Sequence, residues 1–275
     1  MLTNKFYYVP LWMWITFGLL LCLSCFYLFV QYKAPKILSV PEIKKEDTTT
    51  LEYILKNAQN GDIILTSGDT KGEKTCRWCT GSVFSHVGFL FREVHPKTHE
   101  DIVYIFDCDL GQGTKDGVRV MPLRDKLHRY GGFRVGAWKK LLSQNRPTTE
   151  KILELVPKYL PLEFDDKILT WWVAKKGEQG ALYHFLKNQQ KVFCSELVAS
   201  ILQSLHILKK DRVPAWYCPG YFHENRLFLE KDYSYGRSLF FDFQKSHTQK
   251  IIDDTLSVTT GMGEVNLQNQ VALST

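Results

Sequence analysis

Apolar and polar residues alternate with a period of two in stretches between Asp62 and Trp138, and recur at helical spacing from Thr148 onward. Five segments of the first kind read as strands: DIILTS, SVFSHVGFLFRE, DIVYIFDCD, GVRVMPL and GGFRVGAW. A helix, LEYILKNAQ, precedes them with Leu51, Ile54 and Leu55 on one face, and Asn60-Gly61 stops it. TTEKILELVPKYL is helical up to Pro157, which kinks or ends it. FDDKILTWWVAKK and CSELVASILQSLHIL follow as two further helices. Strands grouped ahead of helices, rather than alternating with them, predict an α+β domain with an antiparallel sheet packed on helices. No internal repeat is visible.

The N-terminus has a different texture. No residue between Lys5 and Lys33 is charged, and VPLWMWITFGLLLCLSCFYLFV is almost wholly apolar. That exceeds the roughly 20 residues needed to cross a bilayer. Tyr7, Tyr8, Trp12, Trp14 and Tyr32 lie towards its ends, where amphipathic aromatics favour headgroups. A cleaved signal peptide would have a shorter apolar core, about 7–15 residues, ending at a small-residue site. The expectation is a retained single-pass transmembrane anchor over residues 1–32, with a Pro-containing linker at 33–50. A catalytic-sized domain follows at 51–246, and a flexible tail without aromatics at 247–275. Lys33, Lys36, Lys44 and Lys45 follow the span, against Lys5 before it, which places the domain on the cytosolic side of the membrane. Seven cysteines without framework spacing agree with a reducing compartment.

The chain is 44% hydrophobic, enough for a real core. Its net charge of +6 is spread in mixed sign, with no dense Lys/Arg block interleaved with aromatics, so nucleic acid is not an expected partner.

Cys194 stands one turn ahead of a stripe formed by Leu197, Val198, Ile201, Leu202 and Leu205, in the first turn of the last helix. Unpaired N–H groups and the positive end of the helix dipole lie there, and both favour thiolate, the nucleophilic form. Position alone leaves the bland alternative standing, because free cysteines are among the most buried residues. A nucleophile needs a base. Among eight histidines, His86 lies inside a strand-like run, on one face with Phe84 and Gly88, and the glycine leaves room for something to approach. Read alone, it is also a core histidine satisfied by backbone. An orienting acid is available on the next strand, where Asp107 falls at a position the alternation expects to be apolar. Asp109, two residues on, competes for that role, and Asp107 by itself also reads as a turn acid before Gly111.

Cys76-Arg-Trp-Cys79 followed by His95 and His99 has the spacing of a two-Cys, two-His zinc site. The pairs bracket the strand holding His86, however, and about ten extended residues would hold them ~30 Å apart. Pro96 also spoils the helix such a finger needs. No metal is expected. Trp171 and Trp172, with Phe164 and Ile168, read as core, as an acyl-pocket lining or as a membrane-dipping edge.

GDIILT…SHVGFLF resembles the Gly-Asp…His-Val-Gly strand pair of the NlpC/p60 cysteine hydrolases, a papain-like fold. VFCSELV comes after those strands here, which resembles the circularly permuted, YiiX-like and poxvirus-like branch of that superfamily. YIFDCD, GVRVMPL, EFDD and CPGYF stand where that branch has corresponding elements, and the resemblance spans roughly Asn60 to Phe222. It implies Cys194 as nucleophile, His86 as base and Asp107 as orienter, although the family more often has Glu at the third position. The function implied is a membrane-anchored thiol hydrolase working through an acyl-thioester. Its substrate would be a peptide or a lipid: an amide for a peptidase or amidase, an ester for a phospholipase or acyltransferase. No metal or organic cofactor is required. The alternative is a non-catalytic membrane scaffold that retains the fold.

Overall fold

A computed structural model of the chain describes residues 10–38, 43–95, 99–110, 116–129, 133–165, 167 and 188–241. It divides into two compact units, Met1–Ser39 and Val40–Thr275. The first contains one helix, α1 (Leu11–Leu38), whose side chains are described over 12–25 and include exposed Trp12, Trp14, Phe17 and Leu20. Among the described residues no helix is long and apolar enough to cross a membrane, so the expected transmembrane span is not found there.

The second unit is α+β. Its sheet has six strands: β1 (Ile63–Gly68), β2 (His86–Val94), β3 (Asp101–Asp109), β4 (Gly117–Pro122), β5 (Phe133–Leu142) and β8 (Ser234–Phe241). They are ordered β4-β3-β2-β1-β5-β8 and every pairing is antiparallel. Between β5 and β8 lies a small parallel pair, β6 (Glu163–Phe164) with β7 (Lys191–Val192). The helices are α2 (Leu51–Asn57), α3 (Lys71–Thr80), α4 (Leu123–Arg129), α5 (Thr149–Leu153), α6 (Val156–Tyr159), α7 (Cys194–Ser204) and α8 (Pro219–His223).

All five strands read from alternation are present, because each presents apolar side chains to one or both covered faces. On one face Val87, Phe89, Phe91, Phe106 and Cys108 cluster with Leu197, Val198, Ile201 and Leu202 of α7. On the other, Ile64, Leu90, Ile105 and Trp138 cluster with Leu51 and Ile54 of α2 and Leu123 and Leu127 of α4. Each fully buried aliphatic side chain of α7 contributes roughly 1.5–3 kcal/mol. Helix starts follow local chemistry: Thr50 accepts from Tyr53 N, and Thr70 with Glu73 closes a capping box on α3. Pro157 falls in the first turn of α6, splitting the expected helix into α5 and α6 as a proline requires. The expected helix through Trp171 and Trp172, and the tail from residue 247, lie outside the described residues.

Gly61 shows why the chain turns where it does. Its φ of 90° is left-handed, and a Cβ there would sit 2.5 Å from Leu141 Cδ2.

Candidate functional site

Cys194 opens α7. Its predecessor is held by several contacts that fix where the thiol emerges: Val192 pairs with Phe164 across the β6–β7 ribbon, Cys108 Sγ donates to Val192 O at 3.3 Å, and Phe193 N donates to Glu196 Oε2 at 3.3 Å. Burial first, then the nearby charges of Cys194, Asp107 and Asp109, push the Cys108 thiol far above its usual range, so it stays a protonated donor.

His86 is the first residue of β2, opposite Thr66 in β1. By alternation it shares a face with Gly88 and Leu90, and Asp107 shares that face through Ile105. The room left by Gly88 is used by β3: a Cβ on Gly88 would lie 2.4 Å from Ile105 Cδ1 and 3.4 Å from Asp107 Cβ. The acid is thereby seated beside the imidazole, with His86 Nε2 and Asp107 Oδ2 3.0 Å apart. Nε2 being engaged with Asp107, Nδ1 is the ring nitrogen that remains, and Cys194 is near enough for its charge to act on the ring. The thiol belongs to the layer of α7 and, by alternation, the acid–imidazole pair to the opposite face, with His86 at the first position of β2 and within electrostatic reach of Cys194.

All three side chains are buried, His86 with 9% and Cys194 with 7% exposure remaining. Burial by itself would pull the His86 pKa down. The Cys194 charge, the hydrogen bonds to Asp107 and Cys194, and the Asp107 charge outweigh it and raise the value from 6.5 to about 10. The imidazolium is thus the favoured form of His86 here. Asp107 is desolvated, which raises its pKa, yet the charge of Lys126 and the bond to His86 hold it well below the carboxylate range.

Lys126 is the residue that sequence reasoning missed. It lies on α4, 1% exposed, with Nζ 2.6 Å from Asp107 Oδ2 and bonded also to Asp109 Oδ2. Its signal was its spacing: Leu123, Lys126 and Leu127 occupy one helical face, and both leucines are buried. Asp109, the competing orienter, is instead taken by Lys126 and by Arg119, 2.8 Å away on β4.

His86, Asp107 and Asp109 are close enough together to hold a metal ion. The Lys126 ammonium already bonds both carboxylates, so a dication there would face a buried positive charge. The zinc-like pairs stay apart, as expected. Cys76 lies on α3 and donates to Ser85 O at 3.6 Å, beside the start of β2, whereas His95 and His99 lie beyond its far end. Among the described residues Cys22, Cys25, Cys76, Cys108, Cys194 and Cys218 form no disulfide.

No protein-family model matches the chain, and no curated protein matches it. Among solved structures it resembles the metalloprotein YiiX from Escherichia coli O157:H7, of the family DUF1105, at 17% identity and a TM-score of 0.37. The match covers 65% of this chain and 96% of that one. A likeness so loose carries no argument about chemistry, which rests on the residues of this chain.

Proposed function

We propose that this chain is a cysteine hydrolase of the permuted papain-like, NlpC/p60 type, with Cys194, His86 and Asp107 as its catalytic residues. The observation that carries the reading is the imidazole of His86, bonded to the Asp107 carboxylate at 3.0 Å and near enough to Cys194, at the head of α7, to feel its charge. The chain order supports it as well, since the strands bearing His86 and Asp107 precede the helix bearing Cys194.

The Cys194 thiolate attacks a carbonyl carbon, while a backbone N–H in the first turn of α7 is available to the developing oxyanion. The His86 imidazolium protonates the leaving amine or alkoxide, and the C–N or C–O bond breaks to leave an acyl-thioester. Water then attacks the thioester, His86 takes its proton, and the C–S bond breaks to release the acid and restore the Cys194 thiolate beside the imidazolium. Asp107 keeps Nε2 as the protonated nitrogen and the ring aligned.

The substrate is an amide or an ester of a peptide or lipid. Membrane attachment belongs to the same proposal on the sequence alone: the uncharged stretch between Lys5 and Lys33 supports an anchor, and the lysines after it support a cytosolic domain.

A cysteine-reactive acyl probe on the detergent-solubilised chain tests the core of this reading. Labelling at Cys194 should vanish in Cys194→Ala and fall strongly in His86→Ala. Equal labelling of wild type and Cys194→Ala rejects the hydrolase.

A further inference from the structure

We propose that Lys126 is the positioning residue of this centre: its ammonium pins the Asp107 carboxylate that His86 uses, and with Asp109 and Arg119 it sets the pH range in which the Cys194–His86 pair works. The inference rests on the catalytic reading above and goes beyond it, by naming what tunes the triad.

One carboxylate oxygen carries the argument. Asp107 Oδ2 receives both His86 Nε2, at 3.0 Å, and Lys126 Nζ, at 2.6 Å, while Oδ1 is buried without a hydrogen-bond partner. The orientation of the carboxylate is therefore set by two cationic donors on a single atom. Lys126 reaches it because α4 is docked by Leu123 and Leu127, and its own side chain is only 2% exposed.

The charged and titratable groups that face Asp107 come from every element packed around it. Among the described residues they are His86 from β2, Asp109 on its own strand, Arg119 opposite it on β4 and Lys126 from α4; Cys108 lies on the other face of β3, and Cys194 acts on the centre through His86. With both aspartates ionised and both Lys126 and Arg119 protonated, the surroundings of the Cys194–His86 pair are neutral. The proton then passes between thiol and imidazole without changing the net charge of the buried cluster. Removing the Lys126 charge leaves a net negative cluster, which holds protons more tightly and opposes thiolate formation. Removing the Asp109 charge does the reverse. One unit charge acting over several ångströms at an effective dielectric near 20 moves such a profile by about one to two pH units.

The experiment is the rate of Cys194 alkylation by iodoacetamide against pH, read by mass spectrometry on the full-length solubilised chain. In Lys126→Met the profile should move to higher pH by about one to two units, roughly a tenfold to hundredfold slower reaction on the acid side. Lys126→Arg should restore it, and Asp109→Asn should move it to lower pH. A Lys126→Met profile that superimposes on wild type, while His86→Ala still slows Cys194, overturns the role of Lys126 and leaves the triad standing. No effect of His86→Ala at any pH overturns both. If Lys126→Met does not fold, Asp109→Asn decides: a downward shift supports the proposal, and an unchanged or upward one overturns it.

Discussion

Two buried aspartates of the same sheet region, Asp62 just before β1 and Asp107 in β3, have the same exposure of 0% and opposite roles. Asp62, just before β1, is saturated: Oδ1 accepts from Leu141 N at 2.9 Å and Arg146 Nη1 at 2.8 Å, and Oδ2 from Gln59 N at 3.1 Å and Trp138 Nε1 at 3.0 Å. It ties the turn after α2 to β5 and to the loop beyond it. Asp107, on β3, has two cations on one oxygen and no hydrogen bond on the other. Burial raises the pKa of Asp62 despite Arg146, whereas Lys126 and His86 hold that of Asp107 well below the usual range. A carboxylate whose acceptor positions are filled by fixed donors is a strut. One that shares its charge between a lysine and an imidazole polarises that imidazole.

Substitution at each aspartate separates these roles. The largest effect is on turnover: Asp107→Ala should lower the rate roughly a hundredfold to ten-thousandfold, with the fold retained by circular dichroism. Asp62→Ala should do the opposite. It strands Arg146 and should cost about 3–5 kcal/mol in denaturant unfolding, with turnover per folded molecule unchanged. Similar effects at both sites would erase the distinction. A smaller loss, about 1–3 kcal/mol, should follow from Gly88→Ala, because Ile105 must give way to the new methyl, and His86 would shift with it.

The remaining effect is pH-dependent stability. His86, raised from 6.5 to about 10 in the folded chain, contributes stability that is full below pH 6.5 and lost as pH rises towards 10. Asp107, held below its usual range, contributes stability that is full above the ordinary carboxylate pKa and lost as pH falls beneath it. The melting temperature should therefore decline from pH 6.5 to 10, and His86→Gln should flatten that decline. An identical slope in the variant would break the link between His86 and its partners.

Much of this was legible locally. Alternation located β1 to β5, and the apolar stripe from Leu197 to Leu202 located the helix that begins at Cys194. Neither α3 nor α4 announced itself, since both are polar helices made regular by caps or by packing. β8 escaped because Gly236 and Arg237 weaken its alternation, and β7 because two residues show no period. Cys194, His86 and Asp107 could be nominated from residue type and from position in an element, because helix starts and strand faces are local properties of a chain. The choice of Asp107 over Asp109 could not. Both lie on one face of β3, and only the lateral packing of α4 and β4 places Lys126 across the two, gives Asp109 also to Arg119 and leaves Asp107 bonded to His86. The sequence by itself determined which groups face the same side of the sheet. Tertiary structure decided which of them touch, because that depends on where a helix nineteen residues further along the chain from Asp107 comes to rest.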